Sequence, residues 1–164
     1  MKDKEKTKTN VMRLLDKAKI AYDTREYEYS EEDLSGVHAA DFLGFPYDMV
    51  FKTLVLRGDK TGYFVCCIPV DREIDLKKAA KVSGNKSAEL IHVKELLPLT
   101  GYVRGGCSPI GMKKRFKTYI DISGKEKEAV SISGGQRGVQ VLLSPLALSE
   151  YVGAEFADLL LQKN

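Results

Sequence analysis

The sequence is organised around residues 101–117, which read GYVRGGCSPIGMKKRFK. Four glycines and Pro109 fall within the first part of this stretch, a density that is typical of a tight, irregular backbone and incompatible with a helix. Backbone N–H groups in such a turn can line a concavity for an anion or a polar ester carbonyl, and a basic cluster follows at once. The pattern fits a binding loop. It fits equally well a glycine-rich connection between two strands with a solvated basic face.

Length and composition limit the domain organisation and the kind of partner that the chain can bind. The chain has 164 residues, 43% of them hydrophobic, and a formal net charge of +3. This length predicts a single domain over residues 1–164, with residues 1–8 as a mobile tail. Because the net charge is small, a phosphate-rich partner would have to be met by a local basic patch.

The cysteines and the apolar runs indicate the compartment. Three cysteines without CxxC spacing argue against a disulfide framework and against a structural zinc site. The sequence shows neither a signal-peptide core nor an apolar run of membrane-spanning length. We therefore expect a cytoplasmic protein without a membrane partner.

The hydrophobic pattern alternates between strand and helix periods along the chain. Strands are predicted over residues 24–29, 49–56, 63–70, 118–122, 130–133 and 139–143. Helices are predicted over residues 11–18, 37–43, 75–82 and 93–97, with two short helices over 145–161 that are separated at Gly153. This order predicts an α+β fold with a curved mixed sheet.

Lys52 is out of place in the apolar run MVFKTLVL of residues 49–56. Burying an ammonium group without a partner costs several kcal/mol. Either the strand is an edge strand from which Lys52 reaches water, or the lysine is kept for a ligand.

Common catalytic templates are absent from the sequence. Neither GxGxxG after a strand nor GxxxxGK[ST] occurs, which argues against a dinucleotide or P-loop fold. With two histidines and no HExxH, a zinc hydrolase is disfavoured, and no metal or cofactor is expected. Cys107 is either a nucleophile that pairs with His92 or His38, or a small packed side chain.

Three separated stretches together resemble a known family: FKTL at residues 51–54, GGCSPIG at 105–111 and SGGQRG at 133–138. They are similar to those of the YbaK/EbsC family of free-standing aminoacyl-tRNA deacylases, which are relatives of the editing domain inserted in bacterial prolyl-tRNA synthetases. Further similar stretches are DLKKAAK at 75–81, LTGY at 99–102, KKR at 113–115 and AEFADLL at 154–160. The likeness covers nearly the whole chain in the family's order.

The resemblance implies a compact α+β domain with a mixed, barrel-like sheet flanked by helices. It also implies an activity, hydrolysis of the ester in tRNA(Pro) wrongly charged with cysteine. In the chemistry that it implies, the cysteinyl thiol of the substrate attacks its own carbonyl, without a metal or another cofactor. The expected partner is mischarged tRNA(Pro), with prolyl-tRNA synthetase in a ternary complex as an open possibility; no DNA is expected.

Site residues follow from the resemblance and the loop pattern. The expected catalytic positions are Lys52, Gly105 and Gly106. The expected substrate-binding positions are Tyr27, Phe51, Thr53, Ser108, Pro109, Ser133, Gly134, Gly135 and Arg137. The tRNA phosphates are expected on Lys113, Lys114, Arg115 and Lys117. Two positions depart from the family: Cys107 stands where relatives commonly have isoleucine, and Gln140 stands where some have aspartate.

Two other functions stay open from the sequence. A related deacylase of the ProX type would act on alanyl-tRNA(Pro), and a noncatalytic module would hold a tRNA end or a nucleotide in the same pocket. The noncatalytic module would retain intact Cys-tRNA, whereas an editing enzyme releases free cysteine with turnover.

If the nucleophile belongs to the substrate, Cys107→Ile and Cys107→Ser keep substantial deacylase activity, because the loop then supplies only backbone N–H groups and a small filler. Seryl-tRNA should be hydrolysed much more slowly than cysteinyl-tRNA, since a hydroxyl is a poorer nucleophile than a thiol at neutral pH. Single-turnover rates on both charged tRNAs check this. An inactive Cys107→Ser variant, together with equal cleavage of both esters by the unaltered protein, would assign the nucleophile to the protein.

Overall fold

Five α-helices and eight strands form within residues 8–163, the part of the chain that this computed structural model describes. The helices are α1 (Asn10–Lys17), α2 (Gly36–Leu43), α3 (Leu76–Ser83), α4 (Val93–Thr100) and α5 (Pro145–Val152). The strands are β1 (Asp23–Glu26), β2 (Phe51–Gly58), β3 (Gly62–Pro69), β4 (Ala88–Leu90), β5 (Thr118–Asp121), β6 (Val130–Ser133), β7 (Val139–Leu143) and β8 (Glu155–Ala157). The predicted tail lies outside the described residues except for Lys8, which pairs with Asp16.

The strands form two sheets. A three-stranded antiparallel sheet has the order β1-β7-β6, and a five-stranded mixed sheet has the order β4-β2-β3-β5-β8. In the larger sheet, β3 pairs in parallel with β5, and β5 pairs in parallel with β8. The two sheets meet at a single parallel bridge between Val50 and Ser131. The predicted α+β class with a mixed sheet is confirmed, but the sheets do not close into a barrel.

Side chains alternate across the five-stranded sheet, so each of its faces has its own core. On one face, Val55 and Ile120 pack with the three-stranded sheet and with α1 and α5. On the other face, Leu56, Phe64 and Leu159 pack with α3. The mixed sheet is therefore covered on both sides, and β2 and β3 lie at its centre.

Local capping explains why the helices begin and end where the sequence indicates. Asp75 precedes α3, and its carboxylate accepts hydrogen bonds from the N–H groups of Lys77 and Lys78 at 2.9 and 3.1 Å. Gly44 and Gly84 follow α2 and α3 with φ of 72° and 83°, the left-handed conformation that ends a helix. The predicted bounds of both helices agree with the structure to within a residue.

One predicted helix end and one predicted helix are wrong. Pro98 does not stop α4, which continues to Thr100 and ends at Gly101. The missing N–H of Pro98 leaves only the carbonyl of exposed Lys94 without its helical partner, and water can satisfy it. The second C-terminal helix is instead β8, because residues 155–157 pair with β5 at the edge of the sheet. This tertiary pairing overrides the helical spacing of the apolar residues.

Asn85 closes the β2–β3 hairpin from outside the sheet. Its side-chain oxygen accepts hydrogen bonds from the N–H groups of Lys60 and Thr61, both at 2.8 Å. Its side-chain amide donates to the hydroxyls of Thr61 and Ser83 at 2.9 and 2.8 Å. One buried side chain therefore ties the hairpin turn to the end of α3.

Asn85→Ala should lower the free energy of unfolding by about 2–4 kcal/mol, because buried donors and acceptors lose their partners. Asn85→Asp, which keeps the accepting oxygens and loses the donors, should lie between Asn85→Ala and the natural chain. Urea titration measures the effect. Equal stability of all three proteins would show that the hairpin does not depend on this side chain.

Candidate functional site

A cleft of about 300 Å³ opens between β2, the beginning of α2 and the two glycine-rich turns. Its wall is formed by Tyr27, Leu34, Ser35, Gly36, Val50, Phe51, Lys52, Thr53, Leu54, Val70, Arg104, Gly105, Cys107, Ser133 and Gln140. Six of the site residues expected from the sequence therefore come together here: Tyr27, Phe51, Lys52, Thr53, Gly105 and Ser133. They come from four separate segments of the chain.

Lys52 brings a positive charge into this cleft. It lies on β2 opposite Ile68 of β3, whereas β4 covers only the far end of β2, from Leu56 onward. The side chain is half-buried, and within residues 8–163 its ammonium group has no hydrogen bond and no carboxylate within 4.0 Å. β2 is an inner strand of the sheet but pairs only with β3 at Lys52, and within residues 8–163 no carboxylate lies within ion-pair distance of the Lys52 ammonium group in the cleft.

The electrostatics of Lys52 reflect this position. Burial lowers the pKa of the ammonium group below its usual 10.5, and the more distant carboxylates of Glu73 and Asp71 offset part of that effect. A partly desolvated cation gains more from an approaching negative charge than an exposed one does. Lys52 is therefore suited to an anionic or strongly polarised group of a ligand.

Tyr27 and Gln140 form a hydrogen-bonded part of the wall. The backbone N–H of Tyr27 donates to the carbonyl of Gly138 at 2.9 Å, which extends the β1–β7 pairing by one residue. Burial raises the pKa of the Tyr27 hydroxyl, and hydrogen bonding, including that to the side chain of Gln140, partly offsets this. The Gln140 oxygen also accepts from the Ser131 hydroxyl at 2.6 Å. Gln140 therefore has a defined structural role beside Tyr27.

The loop at residues 103–107 presents backbone N–H groups. Gly105 has a φ of 88°, which a residue with a side chain would adopt only under strain. The N–H of Gly106 donates to the carbonyl of Val103 at 2.9 Å and is thereby used inside the turn. Among the described residues, the N–H groups of Gly105 and Cys107 have no hydrogen-bond partner. The available donors in this loop therefore include the N–H groups of Gly105 and Cys107, and Gly106 does not line the cleft.

The two glycine turns are in direct backbone contact. A Cβ atom on Gly106 would lie 3.1 Å from the backbone of both Gln136 and Arg137. The Arg137 Nε–H donates to the carbonyl of Arg104 at 2.8 Å, which joins the turns a second time. Gly106 and Arg137 therefore hold the loop in place from behind the wall.

Other expected substrate contacts also lie behind the wall. Ser108 and Pro109 are buried, and the Ser108 hydroxyl accepts from the N–H of Ile110 at 3.2 Å. A Cβ on Gly134 would strike Val139, and the N–H of Gly135 donates to the Ser133 hydroxyl at 3.1 Å. In this structure these four residues, Ser108, Pro109, Gly134 and Gly135, shape the turns and do not line the cleft.

Cys107 lines the cleft, but its thiol is poorly suited to attack. Burial raises its pKa to about 12, so very little thiolate exists at neutral pH. His38 is hydrogen bonded to the carbonyl of Glu28 at 2.7 Å on the surface of α2, and His92 precedes α4 as its N-cap. Neither histidine is part of the described wall.

The basic run lies outside the cleft and divides into two pairs. Lys117 forms an ion pair with Glu155 at 2.6 Å, and the Lys113 ammonium reaches the carbonyl of Pro98 at 3.5 Å. Lys114 and Arg115 instead line a second cavity of about 250 Å³. The four residues expected to contact phosphates are thus not equivalent.

Across residues 8–163, no group of three or more His, Cys, Asp and Glu side chains is arranged to hold a metal ion. None of the described helices is long and apolar enough to cross a membrane.

Several wall residues were not expected from the sequence. Ser35 and Gly36 begin α2, where the Ser35 hydroxyl accepts from the N–H of His38 at 3.2 Å. A Cβ on Gly36 would lie 2.2 Å from a methyl carbon of Val70, so glycine is required for this helix to approach the residue that follows β3. The Ser-Gly pair before a helical pattern signals a cap, but only the folded chain shows that this cap lies beside Lys52.

Comparisons with known proteins show which family the chain resembles. The family model described as the aminoacyl-tRNA editing domain matches residues 33–151. The chain is 46% identical over 158 residues to EbsC of Enterococcus faecalis, a candidate Cys-tRNA(Pro)/Cys-tRNA(Cys) deacylase, and the match covers 96% of each protein. It is also 28% identical over 127 residues to the proline–tRNA ligase of Fervidobacterium nodosum, covering 64% of this chain and 22% of the ligase.

A solved structure extends the comparison to the fold. The crystal structure of a candidate trans-editing enzyme for prolyl-tRNA synthetase superposes with a TM-score of 0.76 at 25% identity, covering 86% of this chain and 87% of that one. Fold and site thus define an ester-hydrolysing domain for charged tRNA. The chain belongs to the aminoacyl-tRNA editing domain family, and the predicted resemblance to the YbaK/EbsC deacylases is confirmed.

Lys52→Met should raise the melting temperature at neutral pH. Because the pKa of Lys52 is lower in the folded chain than in the unfolded chain, its charge destabilises the fold below the folded-state pKa. This destabilisation is relieved as the pH rises from the folded-state pKa towards 10.5, so the gain should shrink in alkaline solution. Calorimetry at several pH values, with exposed Lys60→Met as the control, checks both effects. A loss of stability at neutral pH would show that Lys52 supports the fold.

Proposed function

We propose that this protein hydrolyses the aminoacyl ester of tRNA(Pro) mischarged with cysteine, acting in trans as a free-standing editing enzyme of the cytoplasm. The observation that carries the proposal is the composition of the cleft. It combines an unpaired ammonium group and unused backbone N–H groups with a described wall that contains no Asp, Glu or His. Such a wall can stabilise negative charge on an ester, but it offers no general base to activate water.

The missing nucleophile is supplied by the substrate. The cysteinyl sulfur attacks its own carbonyl carbon, so a carbon–sulfur bond forms and the carbon–oxygen bond to the ribose breaks. The proton that the thiol loses goes to the ribose oxygen. Water then adds to the carbonyl carbon of the cyclic thioester, and the carbon–sulfur bond breaks to give free cysteine. An intramolecular thiol has a high effective concentration, so the protein has only to fold the substrate correctly.

The wall residues stabilise the charge that develops in this step. The N–H groups of Gly105 and Cys107 are fixed by the loop and can donate to the carbonyl oxygen as it becomes an oxyanion. The ammonium of Lys52 adds a positive charge in a partly desolvated site. Tyr27, Thr53 and Ser133 supply hydroxyl groups that can orient the amino acid and the terminal ribose.

Selectivity follows from the same chemistry. Alanyl and prolyl esters have no thiol, so they can bind in the cleft without being cleaved quickly. The Cys107 thiol of the protein does not replace the missing group, because burial keeps it protonated. Cysteinyl-tRNA is therefore the preferred substrate, and alanyl-tRNA(Pro) is the alternative that an assay has to exclude.

The tRNA and the synthetase are the proposed partners. EbsC is a candidate deacylase for Cys-tRNA(Pro) and Cys-tRNA(Cys). The similarity to a proline–tRNA ligase supports a link to the charging of tRNA with proline. Arg104 lies exposed at the cleft and can contact the phosphate of the terminal nucleotide. A ternary complex with prolyl-tRNA synthetase would supply the tRNA selectivity that one small domain lacks.

The direct test is deacylation of Cys-, Ala- and Pro-charged tRNA(Pro), with and without prolyl-tRNA synthetase. We expect catalytic release of free cysteine and a fall of about 10²–10³-fold in kcat for Lys52→Met, comparable to the loss of one oxyanion donor. Lys60→Met, at the far end of the same hairpin, should react like the natural protein.

Three results would contradict the proposal. Retention of intact Cys-tRNA would indicate a binding module. Faster release of alanine than of cysteine would indicate an alanyl-tRNA deacylase. Full activity of Lys52→Met would show that the active site lies elsewhere in the protein.

A further inference from the structure

A second cavity of about 250 Å³ lies between α1, residues 109–118 and the end of α5. Two cations and two aromatic rings face it, those of Lys114, Arg115, Phe116 and Tyr151. No Asp or Glu is found among the described residues that line it. Nothing in the deacylation chemistry above uses this cavity.

The two cations at this cavity, Lys114 and Arg115, are not neutralised by a carboxylate of the described residues. Lys114 has no hydrogen bond or ion pair within residues 8–163, and the Arg115 guanidinium makes one long contact, 3.5 Å to the carbonyl of Tyr151. Neighbouring Lys117, in contrast, is neutralised by Glu155. The local field at the cavity is therefore positive, although the net charge of the chain is small.

The aromatic rings are held in place. Phe116 packs edge-to-face against Tyr63 with ring centroids 6.3 Å apart, and Tyr151 is half-buried on α5. Aromatic rings next to Lys and Arg are the combination that binds unpaired nucleotides, because a base stacks on the ring while its phosphate meets the cation.

One loop connects this cavity to the catalytic cleft. Gly105 and Cys107 line the cleft, and Pro109 and Met112 line the cavity. Five residues of extended chain span at most about 18 Å, so Met112 lies within that distance of Cys107. Fully buried Ile110 anchors the segment between them. A nucleic acid whose terminal ester sits in the cleft therefore has its preceding unpaired nucleotides within reach of the cavity.

We propose that this cavity binds an unpaired nucleotide near the 3′ end of the tRNA, with the base against Phe116 and Tyr151 and the phosphate at Lys114 and Arg115. The inference deepens the proposed function, because the adjoining cleft is taken to hold the terminal ester. It also divides the basic run: Lys114 and Arg115 contact the unpaired end, and Lys117 does not.

The test measures binding and not hydrolysis. An uncharged RNA hairpin with a short unpaired 3′ overhang is compared with the same hairpin ending at its last base pair, by fluorescence anisotropy at fixed salt. The protein should bind the overhang hairpin about tenfold more tightly. This preference should be lost in Lys114→Gln/Arg115→Gln and in Tyr151→Leu, and it should survive in Tyr151→Phe, which keeps the ring.

The matched control removes two charges from the opposite side of the sheet, as Lys77→Gln/Lys81→Gln on α3, and should keep the preference. An equal loss of affinity for both hairpins in Lys114→Gln/Arg115→Gln would mean that the charges attract any RNA backbone, and the proposal would fail. It would also fail if the natural protein showed no preference for the overhang.

Because the RNA probe carries no amino acid, the result is independent of deacylation. An overhang preference in a protein that does not hydrolyse Cys-tRNA would overturn the proposed function and leave this site standing. Deacylation without any overhang preference would do the reverse.

Discussion

The site depends on the contact between the two glycine turns. Gly106 has no side chain, so the loop that contains Gly105 and Cys107 can lie directly against the backbone of Gln136 and Arg137. Any Cβ at this position would press on backbone atoms, which cannot give way as a flexible side chain can. Together with the hydrogen bond from Arg137 to Arg104, this contact fixes the backbone of the loop that lines the cleft.

The five-stranded sheet contributes a residue to the site that packing alone would not favour. Lys52 is half-buried on β2, where an apolar side chain would need no solvation. The chain accepts this unfavourable position beside unused donors and hydroxyl groups. A preorganised polar site of this kind loses little energy to reorganisation when charge develops on a bound ester. Under the proposed function, stability is given up at the position where the reaction would use the charge.

The sequence predicts most of the fold because its signals are local. Strands β6 and β7 lie at the predicted positions, and the Asp75 and Gly84 caps bound α3 as expected. The sequence fails where a distant segment decides the outcome. Residues 155–157 form β8 only because β5 offers a free edge, and the two sheets meet at the bridge between Val50 and Ser131 without closing into a barrel.

The same distinction holds for the site. Motifs along the chain identify Lys52 and the glycine turns, because an odd charge and clustered glycines are visible without a structure. They do not show which N–H groups remain unused, since the turn consumes that of Gly106 and spares that of Cys107. They also do not bring the beginning of α2 to the cleft, because this contact depends on the packing of Gly36 against Val70.

In the proposed mechanism, a charged-tRNA ester binds between Lys52 and the N–H groups of Gly105 and Cys107. Nuclear magnetic resonance titration with a nonhydrolysable analogue, cysteine joined to 3′-amino-adenosine by an amide, tests it most directly. We expect the largest shifts at the amides of Gly105 and Cys107 and at the ammonium of Lys52. Unchanged signals at these three groups, with the shifts confined to another surface of the protein, would contradict it.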